Sequence, residues 1–512
     1  MSTEANTPVL VGCGEFTDRS PPADGLSPVQ IMQRAADAAL ADTGGGGALL
    51  RSIDCIGVVG MVTDSPNATL KTGDYRNLPR ALGRSIGAPQ GIHPLYTSVG
   101  GNSPQLLVNT CAERIAAGEF SAVLLSGCEV LRTLVGRLKA GIAFDDWRDE
   151  EVDDREFIGS SRDGVSEYEA RHGMSRPTHI YPLFETALRA HYGRSVDEHQ
   201  AAMGRLFEGF NAVAAENPNS WFGQRRSGED IARPGPENRW VGYPYPKYLN
   251  SVIQVNMSAA LVLCSVEAAR AAGIAEERWV YLHGCSDLHE NWFVSERESL
   301  HSAPALGAMA RQALDMAGIG AGQLDHLDIY SCFPSAVQVA CDEIGLDRER
   351  PLTLTGGLPY FGGPGNNYSM HGIAAAMRRC REQPGSWALS TANGWYLTKH
   401  ACGIYSTRPF AGDWRRPRSL QSDWDRSTVK VPLDETPHGS FTVEAYTLVH
   451  GREGAELGLF VGRTDQGARA LAQLDISDQS AWRRWMEHEA VGVRGTVTPG
   501  ADGVNRLELP PS

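Results

Sequence analysis

Short apolar runs alternate with helix-period segments over the first 131 residues. VLVGCGEF (9–16), SIDCIGVVG (52–60) and SAVLLSGCEVL (121–131) are typical of buried strands. PVQIMQRAADAALADTG (28–44) carries apolar residues at helical spacing, and a second helix is predicted with Ser103 as its cap and Pro104 in its first position. This alternation predicts a parallel sheet with helices packed against it.

The pattern changes after residue 131. The acidic run DDWRDEEVDDREF (145–157) is interpreted as a solvated loop, and residues 177–223 carry helical stretches. The strand pattern returns with AALVLCSVEAARAAGI (259–274). We therefore expect an insertion of roughly 110 residues within one α/β domain.

Two stretches of the chain repeat each other. ALADTGGGGALLRSID (39–54) aligns without a gap to ALDMAGIGAGQLDHLD (313–328). GGN (100–102) precedes a helix and the strand SAVLLSG, and GNN (365–367) precedes a helix and the strand SWALSTANG (386–394). The two pairs predict a duplicated fold with two α/β halves.

Beyond about residue 410, alternating strands joined by glycine turns predict a small all-β domain, a barrel of the oligonucleotide/oligosaccharide-binding (OB) type. Only QSAWRRWMEHEA (479–490) is expected to interrupt it as a helix. The predicted domains are a first half (1–131 and 245–278), the insertion (132–244), a second half (279–410) and the β-barrel (411–512).

Composition narrows the class of protein. A chain of 512 residues predicts two or three domains, and a net charge of −14 without a basic block disfavours nucleic acid and anionic membranes as partners. The sequence has neither a signal-peptide pattern nor an apolar run long enough to span a membrane. Its ten cysteines are scattered without a C-x-x-C pair, so we expect reduced thiols in a cytoplasmic protein and no metal site.

Glycine-rich or polar junctions follow the predicted strands at VGGNSPQ (99–105), YSCFPS (330–335), GGLPYFGGPGNNYSMHG (356–372) and GWYLTKHACGIYS (394–406). In this order, with the duplicated halves and the insertion, they resemble the thiolase superfamily, in the branch related to sterol-carrier-protein-2 thiolases. YSCFPS resembles the H-D-C-F motif, KHACG (399–403) the H-N-x-G motif, and GGPGNNYS a degraded G-H-P loop. SGCEVL (126–131) resembles the glycine and glutamate that follow the third strand of thiolases. With its C-terminal β-domain, the chain is most similar to the thiolase-like proteins type 1.

The resemblance implies a duplicated thiolase fold, layered α-β-α-β-α, with an added C-terminal OB-like barrel. In thiolases a cysteine at a helix N-terminus takes up the acyl group and the G-H-P histidine activates it. Here Gly101 stands at the nucleophile position and Gly363 at the histidine position. The remaining candidate site residues are a histidine that matches the last motif, a motif cysteine and three nearby groups: His400, Cys332, Tyr330, Tyr368 and His371.

Three functions are compatible with this pattern. The first is a protein that binds an acyl-CoA but lacks ordinary thiolase activity. The second is a retro-aldol lyase acting on a β-hydroxyacyl-CoA of a fatty acid or steroid side chain, with the barrel acting in cis and Tyr330, Tyr360, Tyr368 and His400 as proton-transfer groups. The third is a remnant acyltransferase that uses Cys332 or another nucleophile, in keeping with a homology label of acetyl-CoA acetyltransferase.

The resemblance also implies ligands and partners. A coenzyme A thioester is the expected substrate or ligand, and no covalently bound cofactor is expected. Seven arginines of the insertion could meet its phosphates: Arg171, Arg176, Arg189, Arg194, Arg205, Arg225 and Arg226. The oligomeric state stays open between a monomer and a thiolase-like dimer.

Overall fold

Strands and helices alternate over the first part of the chain as predicted, in a computed structural model that describes residues 4–65, 68–475, 477 and 479–510. The helix over 28–42 begins at a capping box between Ser27 and Gln30, and its buried face packs on the first strand. The elements are β1 (Pro8–Thr17), α1 (Pro28–Asp42), α2 (Gly46–Leu50), β2 (Ile53–Val58), α3 (Leu78–Ile86), β3 (His93–Thr97), α4 (Ser103–Ala116) and β4 (Ala122–Val130).

The insertion follows as α5 (Leu131–Ala140), β5 (Glu156–Ile158), α6 (Glu167–Arg171), α7 (Pro177–His191), α8 (Val196–Glu216), α9 (Gly228–Ala232), β6 (Trp240–Gly242) and β7 (Tyr245–Pro246). The interpretation of its acidic run as a solvated loop is wrong in two places. Trp147 is fully buried, and β5 pairs in parallel with β3. The run therefore covers the edge of the sheet, because it carries apolar residues among its carboxylates.

The remaining α/β elements are β8 (Asn256–Ser265), α10 (Val266–Ala271), β9 (Val280–His289), α11 (Pro304–Ala317), β10 (His326–Asp328), α12 (Pro334–Ile344), α13 (Tyr368–Glu382), β11 (Ala388–Gly394) and β12 (Lys399–Ser406). Strands lie in the order β1-β8-β4-β2-β3-β5 in the first half and β9-β12-β11-β10 in the second. The first four strands of each row follow the same order, which confirms the duplication. The sheet is mixed rather than parallel, because β8 and β12 run antiparallel to their neighbours.

The two halves share a central layer of helices. β1 pairs with β9 through Val9 and Leu10, which joins the strands of the two halves. α4 and α13 pack on each other and contact strands of both halves, whereas α1 and α3 cover the outer side of one half and α11 covers that of the other. This is the predicted α-β-α-β-α layering, and it puts the start of α4 and the start of α13 in the centre of the molecule.

The C-terminal part is a β-barrel. Its elements are α14 (Gln421–Ser427), β13 (Gly439–His450), β14 (Ala455–Thr464), β15 (Arg469–Leu474), α15 (Gln479–Glu487), β16 (Arg494–Pro499) and β17 (Asn505–Glu508). The pairings β13-β14-β15-β17-β16-β13 close five strands, and β6 of the insertion adds to β13 from outside. The helix α14 was not expected. No described helix has the length and apolar character needed to cross a membrane.

Candidate functional site

The four junctions singled out in the sequence meet at the turn before α4. The Gly100 N–H donates to Asn366 Oδ1 over 3.0 Å, and Ser369 Oγ donates to the Gly101 carbonyl over 2.9 Å. Tyr330 and the backbone of Asn393 approach the same turn. The predicted cap is displaced by one residue: Asn102 is the N-cap, and Ser103 Oγ donates to the Ser98 carbonyl instead.

Gly101 has no room for a side chain. A Cβ built on it would lie 2.3 Å from the Tyr330 hydroxyl oxygen and 2.5 Å from the Asn393 carbonyl oxygen. Both distances are well below the separation that non-bonded atoms tolerate. The Tyr330 hydroxyl therefore occupies the space that a side chain at this position would need.

The space at Gly363 is also filled. A Cβ there would lie 2.4 Å from Ser251 Oγ and 3.2 Å from the Val252 carbonyl oxygen. The segment that carries Ser251 leads from the insertion into β8, and Gly363 donates its N–H to Val252. The insertion thus packs directly on the loop that precedes α13.

Two tyrosines of the site stand at right angles. The rings of Tyr330 and Tyr368 are 5.6 Å apart with an interplanar angle of 90°. Tyr368 shares a hydrogen bond of 2.6 Å with Thr355 Oγ1. Burial raises the pKa of both hydroxyls. They remain protonated near neutral pH, so each can donate a proton or a hydrogen bond but does not act as a base. Tyr360 is buried nearby, and its hydroxyl has no hydrogen-bond partner among the described residues.

Cys332 lies just before α12, where a helix N-terminus would favour a thiolate. Burial outweighs that effect and raises the pKa of the Cys332 thiol to about 12. All ten cysteines are buried and free. At neutral pH Cys332 is therefore a protonated thiol within the core.

His400 is placed on the α11 side of β12. It lines a closed cavity of about 10 Å³ with Leu306, Met309 and Tyr330, which holds no more than about one water. Burial lowers the pKa of His400 to about 3, so the ring is neutral. Nε2 donates to the Leu397 carbonyl over 3.1 Å, and Nδ1 has no partner among the described residues.

His371 points to β1 rather than to the Gly101 turn. Its Nδ1 lies 2.6 Å from Glu15 Oε1, and Glu15 also pairs with Arg378. The Arg378 guanidinium and the hydrogen bond with His371 lower the pKa of Glu15 despite its desolvation. Of the predicted site residues, the structure brings Gly101, Tyr330 and Tyr368 together and places His371 in a separate ion cluster.

The sequence analysis missed two buried ionisable groups at the site. Glu129 Oε1 accepts the Val62 N–H over 2.7 Å, and burial raises the pKa of this carboxyl to about 8. Lys399 lies beside the Gly100 turn and donates to the Val99 carbonyl. Both residues could have been identified as charged side chains within an apolar strand sequence. Burial in such a strand removes the hydration of the charge, which marks the residue as unusual.

A cleft lined by arginines lies between α8 and the segment before the Gly363 loop. Its volume is about 360 Å³, and its cationic lining residues are Arg194, Arg205, Arg348 and Arg350. Only two of the seven arginines selected from the insertion are among them. Arg189 in particular is buried against the barrel, where it bonds to Glu489, Tyr243 and Tyr446.

Comparison with known proteins identifies the family that shares this architecture. The sequence model of the thiolase-like protein type 1 additional C-terminal domain matches residues 419–503. A crystal structure of a monomeric SCP2-thiolase-like protein type 1 from Mycobacterium smegmatis is 37% identical, with a TM-score of 0.84, and the match covers 99% of this chain and 100% of that chain. The chain belongs to this family. The expected family and its added β-barrel are thereby confirmed.

More distant structures share the thiolase fold of this family. The Ltp2-ChsH2(DUF35) aldolase is 20% identical with a TM-score of 0.56, over 79% of this chain and 98% of that one. Human mitochondrial 3-ketoacyl-CoA thiolase is 14% identical with a TM-score of 0.57, over 79% of this chain and 100% of that one. No curated protein sequence matches the chain.

Proposed function

We propose that this SCP2-thiolase-like protein binds an acyl-CoA thioester without forming an acyl-cysteine, and so performs neither thiolysis nor Claisen condensation. The observation that carries the proposal is the Tyr330 hydroxyl, which fills the space beside Gly101. Ser251 fills the equivalent space at Gly363. Cys332 is a protonated thiol and His400 a neutral ring, so neither supplies the activated nucleophile that acyl transfer needs.

The arginine cleft supports an anionic, phosphate-bearing ligand. Guanidinium groups bind phosphates with charge-assisted, often bidentate hydrogen bonds. Arg348 is engaged by Asp342, but Arg205 forms no ion pair with a described carboxylate. The 3-ketoacyl-CoA thiolase that shares the fold is named for a ligand of this class.

The ligand is tested by calorimetric titration of the full chain with CoA, acetoacetyl-CoA and pantetheine. We expect CoA to bind and pantetheine, which lacks the phosphates of the nucleotide part, to bind at least about 10-fold more weakly. The double substitution Arg205→Ala with Arg350→Ala should weaken CoA by a similar factor. Arg233→Ala is the matched control, because Arg233 is exposed and pairs with Glu229 outside the cleft. The proposal that the arginine cleft binds CoA is refuted if CoA does not bind, or if the double variant binds CoA as tightly as the unsubstituted protein.

The absence of acyl transfer is tested separately. The protein is mixed with acetoacetyl-CoA and CoA, the formation of acetyl-CoA is followed, and the intact protein is weighed by mass spectrometry. We expect no turnover and no acetyl adduct. Rapid thiolysis, or an acyl group on any cysteine, would overturn the proposal.

A retro-aldol lyase is the second candidate, and the barrel is the observation that favours it. Arg189 of the insertion is sequestered by Glu489 and Tyr446 of the barrel, which fixes the barrel on the thiolase-fold body in cis. The matched chain of the Ltp2-ChsH2(DUF35) aldolase shares this fold. In this candidate Tyr330 and Tyr368 donate hydrogen bonds to the enolate oxygen that forms when the carbon–carbon bond breaks. Failure to cleave short-chain and steroid-derived β-hydroxyacyl-CoA esters would eliminate it.

We further propose that the chain is a monomer. β5 occupies the outer edge of β3 and leaves that strand without a free edge for a second copy. The Mycobacterium smegmatis relative is described as monomeric. Light scattering after size exclusion should give the mass of one chain, 55.4 kDa. A stable dimer would contradict the proposal.

A further inference from the structure

Lysine is rare in this chain, and one of its five lysines is buried at the site. The others, Lys71, Lys139, Lys247 and Lys430, are exposed. Lys399 is 2% exposed. A buried cation in an arginine-rich protein is ordinarily arginine, which keeps its charge and pairs bidentately. Lysine differs chemically in that it can lose its proton and act as an amine.

The Lys399 amine faces the turn where thiolases carry their nucleophile. Its Nζ donates to the Val99 carbonyl, and a Cβ built on Gly100 would lie 2.6 Å from that Nζ. No carboxylate of the described residues forms an ion pair with it, and burial alone accounts for its electrostatic environment. The indole of Trp395 covers it, with the Nζ 5.6 Å from the ring centroid. The amine is therefore buried beside the Gly100–Gly101 turn without a counter-charge.

Burial without a counter-charge lowers the pKa of Lys399 to about 8. Burial, together with the charge of Lys399, lowers the pKa of the neighbouring His289 to about 4. A lysine with this pKa has a substantial fraction of free amine near neutral pH.

A polar atom beside the amine lacks a partner. Asn102 Oδ1 is buried and without a hydrogen bond among the described residues. Asn102 Oδ1 lies 2.5 Å from the same Gly100 Cβ position that approaches Lys399. Buried acceptors are rarely left unsatisfied, and exceptions occur where a ligand or water completes the site.

The turn that covers the amine is strained. Trp395 and Leu397 have φ angles of 55° and 51°, a left-handed conformation that costs non-glycine residues on the order of 1 kcal/mol each. The Trp395 side chain is only partly buried. The indole next to the amine therefore belongs to a strained turn and is itself partly exposed.

We propose that the Lys399 amine is a reactive group that forms an imine with the carbonyl carbon of an aldehyde or ketone at the Gly100–Gly101 turn. The nitrogen lone pair attacks the carbonyl carbon and a C–N bond forms. The two amine protons pass to the carbonyl oxygen, which leaves as water as the C=N bond closes. Nothing is oxidised or reduced. This inference is independent of CoA binding.

Reductive trapping tests it on the full chain. The protein is incubated with 2-butanone and sodium cyanoborohydride at several pH values, and the butylated lysines are counted by peptide mass spectrometry. We expect Lys399 to be modified at least about 10-fold faster than Lys139 and Lys430 at pH 7.5, with a rate that rises through about pH 8. Modification of Lys399 no faster than that of the exposed lysines would overturn the proposal.

Lys399→Arg is the matched control, because arginine can keep the hydrogen bond to the Val99 carbonyl but cannot form an imine. The adduct at residue 399 should disappear while labelling of Lys139 and Lys430 stays unchanged. Circular dichroism establishes that the variant is folded. The decisive rate is measured on the unsubstituted protein. If Lys399 is not labelled there, the proposal is refuted whether or not the variant folds.

Discussion

Adding one methyl group at Gly101 tests whether Tyr330 fills the nucleophile position. In Gly101→Ala the new Cβ would lie 2.3 Å from the Tyr330 hydroxyl oxygen and 2.5 Å from the Asn393 carbonyl oxygen. Ordinary contacts are about 3.5 Å, so both neighbours would have to move by about 1 Å. The carbonyl belongs to β11, where Asn393 pairs with His400 of β12, and it cannot rotate away. We expect a loss of about 3 kcal/mol in the free energy of unfolding, the upper end for overpacking.

The assay is urea unfolding followed by tryptophan fluorescence. Gly91→Ala is the control, because a Cβ there meets nothing within 4 Å, and it should change the free energy of unfolding by less than about 0.5 kcal/mol. Combining Gly101→Ala with Tyr330→Phe should recover only part of the loss, since a ring carbon at 2.8 Å and the carbonyl remain. If Gly101→Ala is as stable as Gly91→Ala, Tyr330 does not close the position.

Three further outcomes follow from buried groups. Glu129 keeps its proton in the folded state up to about pH 8 but loses it near pH 4.5 when unfolded, so the free energy of unfolding should fall by about 1.4 kcal/mol per pH unit between those values. Glu129→Gln should abolish that slope in urea titrations, and an unchanged slope would contradict the assignment. Arg189→Met should destabilise the protein by about 2 kcal/mol, because Glu489 loses its cationic partner and two tyrosine hydroxyls lose their donor. An unfolding midpoint, followed by the fluorescence of the barrel tryptophans, that does not move to lower urea concentration would exclude this. Iodoacetamide at pH 8 should leave Cys332 unmodified in the folded protein and modify it in urea, and rapid native labelling would show that its thiol is accessible.

Much of the fold was predictable from local pattern. Continuous apolar runs identified β1, β2 and β4, and helical spacing identified α1. The duplicated glycine turns identified the two halves, since each repeat builds the same strand order. These features follow from hydrophobic periodicity and turn chemistry, which depend on residues close together in the sequence.

Other features depended on residues far apart. The acidic run carries an excess of carboxylates and was interpreted as exposed, yet part of it forms the strand β5, which pairs with β3. Pairing with an existing edge outweighs the local preference for solvent. The N-cap is Asn102 rather than the predicted Ser103, because the Ser103 hydroxyl donates a hydrogen bond to the Ser98 carbonyl in the folded turn.

By itself, the sequence determined the family and the absence of a side chain at Gly101 and Gly363. Only the tertiary structure decided what fills those positions. The Tyr330 hydroxyl comes from the other half of the chain, and Ser251 from the segment between the insertion and β8. It also decided that Cys332 stays protonated and that the pKa of Lys399 is lowered to about 8. Close contacts and the desolvation of a buried group depend on residues that only the folded chain brings together. A local sequence pattern therefore does not encode them.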